Sequence, residues 1–325
     1  MALRVGTDFS GMETPILALR NLGVNFTHIF SSDNEPACER LIRYHFKPEH
    51  FYNDMLARKP KETPACDVYC FCAPCQKFST AGSRTGESRF LKAAARYIAC
   101  KRPRVVVSEN VRAVLFKKYS HIIRKLIKLL AKFGYTISHR ILNSCNHGVP
   151  QHRRRWYLVA IRTSALKMSG RKFKWPKAIA HPPASSLLDP RAPKDSWKRK
   201  PKTDRARQLV KKALINMKAR GLNPATEACF IDIGCSLRYA QHKHEMMMTM
   251  TKTRAQGFAY WISARGRPLS LGEMCKFQGI DLTQFDLPRC GVSEQQFAAM
   301  LGNGLTLNVV QRVLSRALFA AGLVD

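Results

Sequence analysis

Three segments of this chain end in side chains that together suit chemistry on an electron-poor ring. Asp67-Val68-Tyr69-Cys70-Phe71-Cys72 reads as a short buried strand, and Ala73-Pro74-Cys75-Gln76 follows it, so proline fixes the backbone just before a thiol. A cysteine at the carboxyl end of such a strand, in an open α/β sheet, lies in the crevice where ligands bind. Arg104-Val105-Val106-Val107-Ser108 is a second strand-like run, and it releases a carboxylate at Glu109-Asn110-Val111. Gln151-His152-Arg153-Arg154-Arg155 gathers fixed positive charge ahead of the apolar run Trp156 to Ile161. A thiolate attacks, a carboxyl group exchanges a proton, and guanidinium groups hold developing negative charge. A free thiol has a pKa near ~8.5, so neighbouring cations favour the thiolate.

Strands and helices must alternate to deliver these groups to one place. From residue 3 to about 161 they do, which predicts an α/β domain with a mostly parallel sheet and helices on both faces. Arg4 to Asp8 is the first strand, and Asp8-Phe9-Ser10-Gly11 leads into a helix with Pro15 in its first turn, the place where a Rossmann-like fold receives a cofactor. Thr27 to Ser32 is the second strand, ending at Asp33, whose carboxylate is placed to accept from two ribose hydroxyls. Between His121 and Phe133 the pattern puts Ile122, Leu126, Leu129 and Leu130 on one helical face, with Gly134 closing the helix. After residue 165 the texture changes. Lys172 to Lys212 reads as a mobile basic segment, and short strand-like pieces follow at Ala228 to Ile233, Glu245 to Thr251 and Gly257 to Ile262. Helical pattern returns at Ser293, with Val309, Val310, Val313, Leu314, Leu318 and Phe319 as an apolar face. The domain reading is therefore 1–165 for catalysis, 166–290 for a smaller, irregular, strand-containing domain with its basic stretch at 170–212, and 291–325 for C-terminal helices.

Composition narrows the partner. Against 22 acidic residues stand 55 Lys and Arg, a formal +33 that suits a polyanion such as nucleic acid. No run approaches ~18 apolar residues, so a membrane span is not expected. The opening Met1-Ala2-Leu3-Arg4-Val5-Gly6 lacks a signal-peptide pattern, and an odd eleven cysteines without a regular framework read as reduced intracellular thiols. Cys66, Cys70, Cys72 and Cys75 crowd together, but Cys70 and Cys72 lie two apart on an apparent strand, Cys66 precedes it and no paired His or Cys knuckle follows, while His242 and His244 read as a surface pair in a basic region, so no metal is expected.

In this order, Thr7-Asp8-Phe9-Ser10-Gly11, Pro74-Cys75-Gln76, Glu109-Asn110-Val111, Gln151-x-Arg153-x-Arg155 and Gly302-Asn303-Gly304 resemble the signature blocks of the cytosine-C5 DNA methyltransferases. The segment from Met250 to Gly279 most resembles the forms of dinoflagellates and related algae. The resemblance implies a Rossmann-like methyltransferase sheet, a target-recognition domain in the central insertion, S-adenosylmethionine as cofactor and double-stranded DNA as partner. It implies Cys75, Glu109, Arg153 and Arg155 as catalytic residues. For the cofactor it implies Asp8, Phe9, Ser10, Gly11, Asp33, Asn34, Asp54, Pro74, Asn303 and Gly304. For nucleic acid it implies Gln76, Ser79, Arg89, Gln151, Thr251, Thr253 and Arg254, with a lid from Gln76 to about Arg89. By the same resemblance Cys75 adds to C6 of a cytosine swung out of the duplex, Glu109 works at N3 and Arg155 holds O2. One departure stands out: Glu13 occupies the position of the family's second glycine, adding bulk and charge near the expected methionine moiety, or else meeting its ammonium group. Two alternatives stay open, an RNA (tRNA) cytosine-5 methyltransferase and a non-catalytic nucleic-acid-binding homologue. A monomer is favoured, and Lys198-Arg199-Lys200-Pro201-Lys202 would suit nuclear import in a eukaryote.

Overall fold

The computed structural model describes residues 2–74, 89–190 and 198–325, so Cys75, Gln76 and Ser79 lie outside the described residues. In chain order the elements are β1 (Leu3–Asp8), α1 (Thr14–Asn21), β2 (Phe26–Ser32), α2 (Pro36–His45), β3 (His50–Tyr52), β4 (Val68–Phe71), α3 (Arg89–Lys101), β5 (Val105–Val111), α4 (Ser120–Lys132), β6 (Tyr135–Asn143), β7 (Gln151–His152), β8 (Arg154–Arg162) and α5 (Thr163–Ser169). The chain continues through α6 (Asp204–Ala219), β9 (Cys229–Asp232), β10 (His242–His244), β11 (Met247–Met248), α7 (Lys252–Gln256), β12 (Tyr260–Ile262), β13 (Arg267–Pro268), α8 (Leu271–Lys276), α9 (Glu294–Asn303) and α10 (Leu307–Ala320). These pack as two compact units. The first holds 1–142, 154–177 and 309–325, and the second holds 143–153 and 178–308.

The first unit is built on a seven-stranded sheet in the order β3-β2-β1-β4-β5-β8-β6. β3, β2, β1, β4 and β5 run parallel, while β8 is antiparallel to β5. Parallel strands buried on both faces need continuous apolar runs, and Val105-Val106-Val107 supplies one. Strand polarity then does the positioning. Loops leaving β1, β2, β4 and β5 share one edge, and the β5–β8 register sets Val111 opposite Arg155, bringing an arginine of the incoming strand to that edge. Beneath it Phe30, Tyr69, Phe71 and Tyr97 form a buried ring cluster. The cluster reaches so close to β1 that a Cβ at Gly6 would meet the Phe30 ring at 2.2 Å.

Two helices of this unit differ from the sequence pattern. In α4 the core face is Ile123, Leu126 and Leu130, with Ile122 and Leu129 only partly buried at its flanks. In α10, Phe319 stays 39% exposed, with Arg171 over its ring 4.2 Å from the centroid, and Ala317 is buried instead.

The second unit carries an antiparallel sheet, β10-β9-β12-β13, and a short parallel pair, β11-β7. Residues 204–212, expected as mobile chain, belong to α6. Thr203 caps it by accepting from the Ala206 N–H, and Ala206, Leu209, Val210, Ala213 and Met217 form a buried stripe among the lysines and arginines. The strand expected over Glu245 to Thr251 contracts to Met247–Met248, and Thr251 instead starts α7. α8 and α9 both open with capping boxes, Ser270 with Glu273 and Ser293 with Gln296. No helix among the described residues is long and apolar enough to cross a membrane.

Candidate active site

The loop from Asp8 to Glu13 is wound through three left-handed residues, Phe9 (φ 56°), Gly11 (φ 57°) and Glu13 (φ 55°). Two of them carry side chains, at a cost on the order of 1–2 kcal/mol each. A buried polar network holds the loop there. Ser10 Oγ accepts from the Ser32 N–H at 3.0 Å and lies 2.7 Å from Thr7 Oγ1. Glu13 is fully buried, and its Oε1 accepts from Thr7 Oγ1 and Ser31 Oγ, both at 2.6 Å, with His28 Nε2 3.4 Å away. Glu13 Oε2 has no partner among the described residues. The expectation that Glu13 intrudes on the cofactor's methionine moiety is thereby corrected. Its side chain turns into the protein and ties the loop to β1 and β2, because a carboxyl group inside needs the donors those strands offer.

Asp8 is likewise turned inward. Its two oxygens receive both terminal nitrogens of Arg58 at 2.8 Å, and the Tyr69 hydroxyl also donates to it. Burial pushes the Asp8 carboxyl up, against the pull of Arg58. Arg58 in turn lies over Phe30, Tyr52 and Tyr97, 4.7 to 5.3 Å from their centroids. So the Asp8 side chain anchors the loop to Arg58 and Tyr69. Nothing in the sequence around Arg58 marks it among the chain's many cations. Asp33 is the half-buried counterpart: its carboxylate accepts from the Gly11 N–H at 2.8 Å and the Glu35 N–H at 3.0 Å. Burial raises its carboxyl, and those two hydrogen bonds oppose the rise. A carboxylate has about four acceptor sites, so two remain for ribose hydroxyls. Asn34 is exposed beside it, and the exposed Asp54 accepts from the Leu56 N–H at 2.8 Å. Asp54 helps line a cavity of about 390 Å³ with Tyr52, Asn53 and Arg58. Phe9 packs edge-on against Phe90, at 5.1 Å between centroids, and exposed Arg89 lies over that same ring.

At the end of β5, next to the end of β4, Glu109 and Arg155 come together. Asn110 donates from Nδ2 to the Ala73 carbonyl at 3.0 Å, which pins the backbone leading through half-buried Pro74 to Cys75. One residue earlier, Glu109 Oε1 sits 3.2 Å from Arg155 Nε, both side chains nearly buried. Arg155 also donates to the Arg154 carbonyl at 3.0 Å, which fixes its plane. Burial, and next the Glu109 carboxylate, push the Cys72 thiol well up, so Cys72 is a neutral neighbour of this pair rather than a nucleophile.

The second unit receives the other expected residues. Arg153, 2% exposed, donates to the carbonyls of Met250 (2.7 Å), Gly304 (2.6 Å) and Gly302 (3.4 Å). Its guanidinium clamps backbone, a positioning task distinct from the catalytic contact expected of it. Gln151 is a correction: it is fully buried, donating to the Phe277 carbonyl at 2.7 Å, so it has no surface to offer nucleic acid. Asn303 is exposed at the end of α9, and Gly304 follows as its cap. Thr251 and Thr253 are exposed around α7, while Arg254 pairs with Asp232 at 3.0 Å. Gly302 permits the crossing of α9 and α7, since a Cβ there would come within 2.5 Å of the Thr251 backbone. Among the described residues no group of three or more His, Cys, Asp or Glu is placed to hold a metal. Cys66 instead meets the Tyr97 hydroxyl at 3.2 Å, and His244 meets Glu227 at 2.8 Å.

A sequence profile described as C-5 cytosine-specific DNA methylase matches residues 7–318. The orphan methyltransferase M.SPRI of Bacillus phage SPR is 31% identical over 171 residues, covering 51% of this chain and 39% of that protein. The type II methyltransferase M.MspI of Moraxella sp is 29% identical over 137 residues, covering 41% and 32%. The matched segment thus spans less than two thirds of the length of these relatives. Among solved structures, the Entamoeba histolytica methyltransferase EhMeth superimposes with a TM-score of 0.69 at 17% identity, covering 98% of both chains. The S. pombe Dnmt2 methyltransferase gives 0.65 at 17% identity, covering 98% of both, so the fold is shared.

Proposed function

The chain belongs to the C-5 cytosine-specific DNA methylase family, and on that premise we propose that it is a DNA (cytosine-5-)-methyltransferase that uses S-adenosylmethionine. The observation that carries this reading is the Glu109–Arg155 pair at 3.2 Å, set one residue from the Asn110 amide that pins the approach to Cys75. S-adenosylmethionine, when bound, supplies the methyl group that the cytosine C5 takes up. The residues at the loop suit that cofactor: Asp33 keeps acceptor sites free for a ribose, and Asp54 edges a cavity beside it.

Cytosine C5 is a poor nucleophile until a group adds at C6. In this reading the Cys75 sulfur forms that C6 bond, and ring electrons move towards N3 and O2. Glu109 holds the proton at N3, and Arg155 faces the charge that grows at O2. Fixed donors of this kind are worth about 3 kcal/mol each in a water-poor site. Once C5 carries its methyl group, its proton leaves and the Cys75–C6 bond breaks, which restores the aromatic ring. The base must leave the duplex to be reached, at a cost of roughly a few kcal/mol. The +33 charge matches a polyanionic partner, and Thr251 and Thr253 offer exposed hydroxyls for contact. In a eukaryote, the basic run at Lys198–Lys202 would suit residence in the nucleus.

The test is transfer of labelled methyl from S-adenosylmethionine to duplex DNA and, in parallel, to tRNA. Wild type should label DNA. Cys75→Ala should abolish transfer, and Arg155→Ala should lower kcat about 100- to 1,000-fold with the fold retained. Labelling of tRNA alone, or full activity in Cys75→Ala, would overturn the reading.

A further inference from the structure

A second cavity, this one basic, lies in the first unit at the opposite end of β8. Arg155 and Arg162 are seven positions apart on that strand, about 24 Å at a strand's rise. The cavity, of about 460 Å³, is lined by Arg102, Arg162, Lys167, Thr163, Ser164 and Phe133, with three cations and no carboxylate on its wall. Arg102 is held in the left-handed region at φ 54°, and its guanidinium donates to the Phe133 carbonyl. Arg162 is anchored on the Tyr135 hydroxyl, which itself donates to the Pro103 carbonyl at 2.7 Å. Its Nε is buried and has no hydrogen-bond partner among the described residues. Thr163 Oγ1 meets Thr136 Oγ1 at 3.1 Å, which orients a hydroxyl at the rim.

Unpaired cations held close together repel one another, so a fold that keeps them so gains by receiving an anion. The sequence around the cavity reinforces this. From Asn110 to Leu188 there is no Asp or Glu, against seventeen Lys and Arg, so the chain around Arg162 and Lys167 adds positive charge, and the Asp67 carboxylate at the start of the neighbouring strands is already paired with Arg104. Guanidinium forks and hydroxyls match the oxygens of a phosphate group.

We propose that the cavity formed by Arg102, Arg162, Lys167 and Ser164 is a phosphate-binding site, separate from the reacting end of the sheet. A phosphate group reaches it from a nucleic-acid backbone or from a small free phosphate, and one pair of titrations distinguishes these. The probes are inorganic tripolyphosphate, followed by phosphorus NMR, and a duplex of only A·T pairs, followed by anisotropy over a range of salt. Neither contains cytosine or a methyl donor, so the outcome is independent of methyl transfer. Lys167 is exposed, and Lys167→Ala should leave the fold intact. With a backbone contact, Lys167→Ala and Arg162→Gln each lower the salt slope of duplex binding by about 1, roughly eightfold in affinity at 0.1 M salt. With a small-anion site, both variants lose tripolyphosphate binding and leave the duplex slope unchanged, while Lys167→Arg keeps it. If Lys167→Ala changes neither titration, the cavity is only a solvated basic surface and the proposal fails.

Discussion

Replacing Glu13 by glycine would restore the residue expected from the family pattern, and the structure makes the outcome a sharp test. Glu13 accepts two hydrogen bonds at 2.6 Å, from Thr7 and Ser31, in a fully buried setting. Losing both costs about 2–3 kcal/mol, and the emptied side-chain volume adds about 1–2. Against this, glycine relieves the left-handed backbone by about 1 kcal/mol and removes the unpartnered Oε2, worth about 1. Thr7 keeps Ser10 at 2.7 Å and Ser31 keeps His28 at 3.0 Å, so no hydroxyl is orphaned. The balance is a destabilisation of about 2 kcal/mol, or roughly 4 °C in Tm for a chain of this size. Calorimetric melting reads the first quantity. Titration with S-adenosylhomocysteine reads the second, for which the inward carboxyl predicts unchanged or severalfold weaker binding. A Glu13→Gly protein of unchanged Tm that bound the cofactor tenfold tighter would show that the carboxyl faces the ligand, and the reasoning would be wrong.

Two further outcomes follow from the geometry. Arg153→Ala leaves the carbonyls of Met250, Gly302 and Gly304 without their buried donor, and should cost about 3 kcal/mol in urea unfolding; unchanged stability with a lowered kcat would instead restore a catalytic role. Because burial raises the Asp33 carboxyl above its ordinary 3.8, ribose binding by the ionised form should be lost as pH falls through that raised value, earlier than a free aspartate would titrate. The stability contribution has the opposite sign, since ionising a carboxyl with a raised pKa destabilises the folded state as pH climbs through the window. Titration of S-adenosylhomocysteine between pH 4 and 7 checks this, and a Asp33→Asn protein that kept both wild-type affinity and its pH profile would refute it.

The strands were readable because burial on two faces demands unbroken apolar runs, and Val105 to Val107 or Leu158 to Ile161 have little other use. Helices with a cap and a clean stripe were readable for the same reason. α6 was hidden: its buried stripe from Ala206 to Met217 is diluted by Lys211, Lys212 and Arg205, so composition spoke for mobile chain while periodicity, read alone, would have spoken for a helix. The candidate site was partly legible. Asp33, Glu109 and Arg155 stand where strand ends put them. Arg58 was invisible, since its role rests on Asp8, fifty residues away, and on three rings from separate elements.

Residue order alone determined which chemical groups leave the strand ends, because side-chain type and strand polarity are local properties. It could not say which way a polar side chain turns at a loop, since that depends on donors brought from distant strands. Glu13 and Asp8 turn inward because Thr7, Ser31, Arg58 and Tyr69 meet them there. Gln151 and Arg153 disappear into carbonyl contacts for the same reason: a buried polar group goes where its hydrogen bonds are, and only the assembled fold decides where that is.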